Sequence, residues 1–138
     1  MKQLNAFLIS TALLLFAVAC SAAKDNGKVI KSVPAGNNLT VAVAAKDGVL
    51  KRGNTEFTLT FADTSGKPVD VGAVALVFKM AAMGSMSAMN AAATFTTTDT
   101  PGVYRGRANV GMSGEWQVQI SYDGPAGRGQ VTVPLIVQ

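Results

Sequence analysis

The sequence has 138 residues, with twelve Lys and Arg against eight Asp and Glu, six Met, one Cys and no His. Without histidine, and with a single thiol, it lacks the usual general base and the usual zinc ligands, so hydrolase, oxidoreductase and zinc-site readings lose most of their support. The net charge of +4 is spread along the chain, a mild basicity that does not argue for nucleic acid, and its densest clusters, Lys51-Arg52 and Arg105-Gly106-Arg107, read as solvated strand ends.

Taken in order, the chain opens with Lys2 and an almost unbroken apolar run over residues 6–19 that ends in small residues before Cys20. This reads as a secretory signal over residues 1–19, too short to remain as a membrane span. The stretch Ala17-Val18-Ala19-Cys20 resembles the lipobox of bacterial lipoproteins, in which the cysteine is acylated and becomes the first mature residue. The resemblance implies lipidation at Cys20 and attachment to a membrane through that lipid. Ordinary cleavage after Ala19 would instead leave a free amino-terminal thiol without a partner in an oxidising compartment. Ser21, where an aspartate could stand, resembles sorting signals of diderm bacteria that favour the outer membrane, facing the periplasm.

Residues 20–38 are polar, contain Pro34 and two glycines, and are expected to form a lipidated tether. That leaves residues 39–138 as one domain. Short apolar segments at 39–45, 55–61, 69–80, 92–97, 103–110, 115–122 and 129–137 are separated by turn chemistry such as Lys46-Asp47-Gly48, Asp99-Thr100-Pro101-Gly102 and Tyr122-Asp123-Gly124-Pro125. About seven strands so spaced predict an all-β fold, an immunoglobulin-like β-sandwich.

Period-two alternation orients these strands. Trp116, Val118, Ile120 and Tyr122 alternate with Glu115, Gln117, Gln119 and Ser121, and Phe57, Leu59 and Phe61 alternate with Glu56, Thr58 and Thr60. Trp116, Phe57, Leu59 and Ile120 are therefore expected in the core. Within 69–80 both phases are apolar, and Lys79 decides between them: with Lys79 outward, Val74, Leu76, Phe78 and Met80 point in.

The most unusual stretch follows at residues 80–89, MAAMGSMSAM, with Met80, Met83, Met86 and Met89 at every third position. Apart from the initiator, the one other methionine is Met112, in a Gly-Met-Ser-Gly turn. Thioethers suit Cu(I) and also fill irregular apolar gaps, so a metal site and plain packing both fit the residue type. In an extended three-per-turn form, neighbouring members of the series would lie about 9 Å apart on one face. On a helix they would drift about 60° per step. A shared site therefore requires the tract to curl or Met112 to approach it. The alternatives are a short helix or loop capping the sandwich with flexible filler, and a methionine patch that docks a partner protein.

With these segments placed, the chain from about Leu50 resembles the YtkA-like family, small secreted immunoglobulin-like sandwiches close to FixH-like and CopC-like domains. The resemblance rests on residues 50–57, on Gly66-Lys67-Pro68-Val69, on the methionine tract, on Gly102-Val103-Tyr104 and on Met112-Ser113-Gly114-Glu115-Trp116. It implies a non-enzymatic extracytoplasmic domain linked with metal handling or efflux. Relatives commonly carry proline and histidine in or beside the tract, and this chain has neither there. The resemblance moves the balance toward metal handling, with Met83, Met86, Met89 and Met112 as thioether ligands for Cu(I) and Met80 as an additional candidate. An envelope or efflux protein is the implied partner.

Overall fold

The computed structural model describes residues 27–138. The secretory signal, Cys20 and the first part of the expected tether lie outside the described residues. Among the described residues nine strands run in chain order: β1 Lys28–Gly36, β2 Leu39–Ala45, β3 Gly53–Ala62, β4 Ala73–Met80, β5 Met89–Ala92, β6 Thr94–Thr97, β7 Val103–Val110, β8 Gly114–Gly124 and β9 Gly127–Val137. They form two antiparallel sheets, ordered β1-β2-β3-β7-β6 and β5-β4-β8-β9. Setting β1 aside, β2-β3-β7-β6 facing β5-β4-β8-β9 is the immunoglobulin arrangement, with β5 in the place of the extra strand beside the third.

Residues 28–36, which the composition reads as part of the tether, pair with β2 from Lys28↔Ala45 to Gly36↔Leu39. The reversal is made by Asn37 and Asn38 at φ 51° and 58°. Two successive left-handed residues make a type I′ hairpin turn, whose twist suits the flanking strands. Pro34 is tolerated because β1 is an edge strand and one missing amide need not break a ladder. Among the described residues, strand pairing thus begins at Lys28, ahead of Leu39.

Two further segments divide differently from the sequence expectation. Residues 69–72 do not join β4: Val69 donates its amide to the Phe61 carbonyl at 2.8 Å, and Gly72 at φ 77° breaks the run. The segment 92–97 splits into β5 and β6, which belong to different sheets. At the switch, the Ala93 amide donates to the Leu76 carbonyl at 2.9 Å, so one crossing chain closes that side of the sandwich.

The core is where alternation places it. Trp116, Phe57, Leu59 and Ile120 are all buried, with Leu76, Phe78, Val118, Leu135 and Val137 around them. Edge-to-face contacts run from Phe95 through Phe57 and Phe78 to Trp116, with centroids 5.8, 5.9 and 6.3 Å apart. No buried side-chain nitrogen or oxygen among the described residues lacks a hydrogen-bond partner. A groove of about 440 Å³ on the outer face of the four-stranded sheet, lined by Ala73, Ala75, Ser121 and Gln130, lies where β8 turns into β9, away from the methionine tract.

Candidate functional site

The tract is neither helix nor loop but the turn of a β-hairpin joining β4 to β5. Pairing runs Val77↔Ala92, Phe78↔Ala91, Lys79↔Asn90 and Met80↔Met89, and continues to a bridge between Met83 and Met86. Those two exchange both backbone hydrogen bonds, Met83 N to Met86 O at 3.1 Å and Met86 N to Met83 O at 2.9 Å. The two-residue connection is Gly84-Ser85. Gly84 has φ 56° while Ser85 is not left-handed, the signature of a type II′ turn with glycine at its first central position. A side chain at Gly84 would meet open space, so backbone conformation alone calls for glycine there.

This register sorts the methionines into two groups. Met80 and Met89 face each other at the base of the hairpin, Met80 buried and Met89 half-buried. Both reach toward the β7–β8 turn: a Cβ placed on Gly111 would lie 3.5 Å from Met89 Cε, and one placed on Gly114 would lie 3.5 Å from Met80 Cε. Met112 sits between those glycines, half-buried against the core. Its carbonyl accepts a hydrogen bond from Trp116 Nε1 at 3.0 Å, which ties the turn to the largest core side chain. Met80 is the core residue its phase predicts, and both thioether tails run alongside Gly111 and Gly114, where an added Cβ would stand at ordinary contact distance from them.

Met83 and Met86 form the second group, at the tip. They are 63% and 42% exposed, and they are directly opposed across the narrowest part of the hairpin. A hydrogen-bonded antiparallel pair holds its Cα atoms about 5.5 Å apart with both side chains on the same face. Each thioether has three rotatable bonds, so two sulfurs so placed can converge on one ion. Met86 and Met89 are three residues apart, about 10 Å along an extended strand, and an odd step in a period-two ribbon turns them to opposite faces. The tip pair and the basal group are therefore distinct, where the sequence suggested one set of four ligands.

Harder ligands do not converge elsewhere: among the described residues no group of three or more His, Cys, Asp or Glu could hold a metal ion. The perturbed titratable groups lie toward the other end of the strands. Ser65 Oγ and the Lys67 amide donate to Asp63 Oδ1 at 2.6 and 3.1 Å and hold its carboxyl below the ordinary range. Burial pushes the Tyr104 phenol up. Its oxygen accepts from the Val71 amide at 3.3 Å, while its proton is directed between Asp70 Oδ1 at 3.1 Å and the Gly72 carbonyl at 3.2 Å. These groups brace the β3–β4 connection and take no part at the hairpin.

The fold and this site define a small immunoglobulin-like sandwich that carries a methionine hairpin at one end. Residues 35–121 match the family model described as YtkA-like, and the chain belongs to that family. No curated protein matches the chain.

Proposed function

We propose that the domain is a non-catalytic, lipid-anchored protein of the bacterial cell envelope, held at the outer membrane and facing the periplasm, that binds Cu(I) at the tip of its methionine hairpin. The observation that carries this reading is the direct opposition of Met83 and Met86 across a closed two-residue turn. Two uncharged thioethers are a donor set for a soft monovalent ion and a poor one for Zn(II) or Cu(II), which prefer imidazole, thiolate or carboxylate. Their exposure suits delivery, because an incoming ligand from an efflux or acceptor protein can reach the ion without any opening of the fold. Met89 and Met112 stand at the base as reserve donors; Met80 serves packing.

Titration of the chain with Cu(I) under reducing conditions, against a chromophoric Cu(I) chelator, tests this. Met83→Leu with Met86→Leu keeps bulk and apolarity while removing both sulfurs. The parent should bind one ion, and the double variant should lose at least tenfold in affinity with an unchanged unfolding midpoint. Because thioethers do not titrate, affinity should hold at mildly acid pH, where imidazole sites fail. Equal binding by both chains, or none by the parent, refutes the assignment. The alternative, an exposed methionine patch that docks an envelope protein without metal, then takes its place.

A further inference from the structure

The topology puts the first described residues at the methionine end. Strand β1 starts at Lys28 opposite Ala45, the last residue of β2. Gly53 at the start of β3 pairs with Val110 at the end of β7, and Gly114 at the start of β8 pairs with Val137 at the end of β9. Lys79, one residue before the end of β4, lies opposite Gln117 near the start of β8. One end of the sandwich therefore gathers Lys28, the 46–52 connection, the methionine hairpin and the 111–113 turn. The other end gathers the turns at 37–38, 63–72, 98–102 and 124–126.

The two ends differ in charge. Lys28, Lys46, Lys51, Arg52 and Lys79 are exposed at the methionine end against Asp47 and Glu115, while Glu56 and Arg107, also at this end, pair with each other at 2.8 Å. At the other end Asp63, Asp70, Asp99 and Asp123 outnumber Lys67 and Arg128. Between Lys79 and Asp99 there is no charged residue, so the hairpin that projects from the basic end is uncharged and tipped by two exposed apolar side chains.

We infer that the methionine end is a docking surface for an anionic lipid bilayer, with Met83 and Met86 entering the interface between headgroups and acyl chains and the five cations lying on the headgroups. An exposed apolar tip beside clustered Lys and Arg is the combination that holds peripheral elements on such surfaces. Chain length agrees. If the lipid is at Cys20, which rests on the reading above, residues 21–27 reach at most about 25 Å when fully extended. This surface then stays within one domain length of the headgroups. Metal and bilayer use the same two side chains and therefore compete.

The Cys20→Ser chain cannot be acylated, which separates the surface from the anchor. Mixed with phosphatidylglycerol vesicles at low salt, it should co-sediment, and should fail to do so with phosphatidylcholine vesicles. Amide exchange should slow at residues 81–88 and 46–52 and stay unchanged at 63–72. Lys51→Glu with Arg52→Glu should weaken binding about thirtyfold or more, at about fivefold for each charge removed from a surface of this kind. Met83→Ser with Met86→Ser should weaken it about tenfold, and Cu(I) loading should weaken it too. Absence of binding, equal binding to both lipids, or protection centred on 63–72 overturns the inference. So does hairpin protection that rises with protein concentration without vesicles, which would assign the face to a second copy of the chain. Intact mass of the membrane-extracted parent tests the acyl group at Cys20 separately, so loss of the anchor and loss of the surface are distinguishable.

Discussion

Trp116 joins the core to the candidate site, and truncating it measures how much of the sandwich depends on that junction. The side chain is 1% exposed, stacks edge-on against Phe78 at 6.3 Å and donates its indole proton to the Met112 carbonyl at 3.0 Å. Trp116→Ala should cost about 3 to 5 kcal/mol, the range for emptying a buried aromatic site that cannot fully collapse. Small domains are stable by about 5 to 15 kcal/mol in total, so this variant should lie near the edge of folding. Trp116→Phe retains most of the ring burial and removes the donor, and should cost about 1 to 2 kcal/mol, one neutral hydrogen bond plus some lost contact. The difference between the two substitutions therefore separates packing from the tie to the turn. Urea unfolding followed by far-ultraviolet circular dichroism is the assay, because the fluorophore itself is removed. A loss below about 1 kcal/mol for Trp116→Ala would be the cost of an ordinary surface change and would refute the placement of Trp116 at the centre of the fold.

Two further outcomes follow from the geometry. Asn38→Val places a β-branched residue where φ is 58°, and should destabilise the domain by about 1 to 2 kcal/mol in the same assay, whereas Asn38→Gly should be neutral or slightly stabilising. Tyr104 holds its proton more tightly folded than unfolded, so its contribution is complete below the ordinary value of 10.0 and is lost as pH rises through the higher folded value. Thermal melts above pH 10 should fall more steeply for the parent than for Tyr104→Phe, once the lower baseline of the variant is allowed for.

The amino-acid sequence by itself determined the class of fold and the inner faces. Alternation of large apolar with polar residues in the segments of β3 and β8 is a local property, and burying one face of each removes Phe57, Leu59, Trp116 and Ile120 from water. Lys79 likewise fixed the phase of β4, since burying it would strand a charge. Where both signals are weak, local sequence does not determine the element. β1 is not legible in the sequence because Pro34 and the polar residues of 28–36 resemble a tether, and only pairing with β2 through a left-handed Asn37-Asn38 turn makes them a strand. The switch at Ala93 was invisible because the choice between sheets depends on Leu76, a residue distant in sequence. The methionines show the same division. Their three-residue spacing was plain, but which sulfurs meet is a matter of register. The Gly84-Ser85 turn set that register, making Met83 and Met86 partners and leaving Met80 and Met89 at the base with the Met112 turn. The methionine spacing alone does not say that the chain reverses at Gly84-Ser85, and only the folded hairpin, with its pairing to the rest of the sheet, shows which sulfurs face each other.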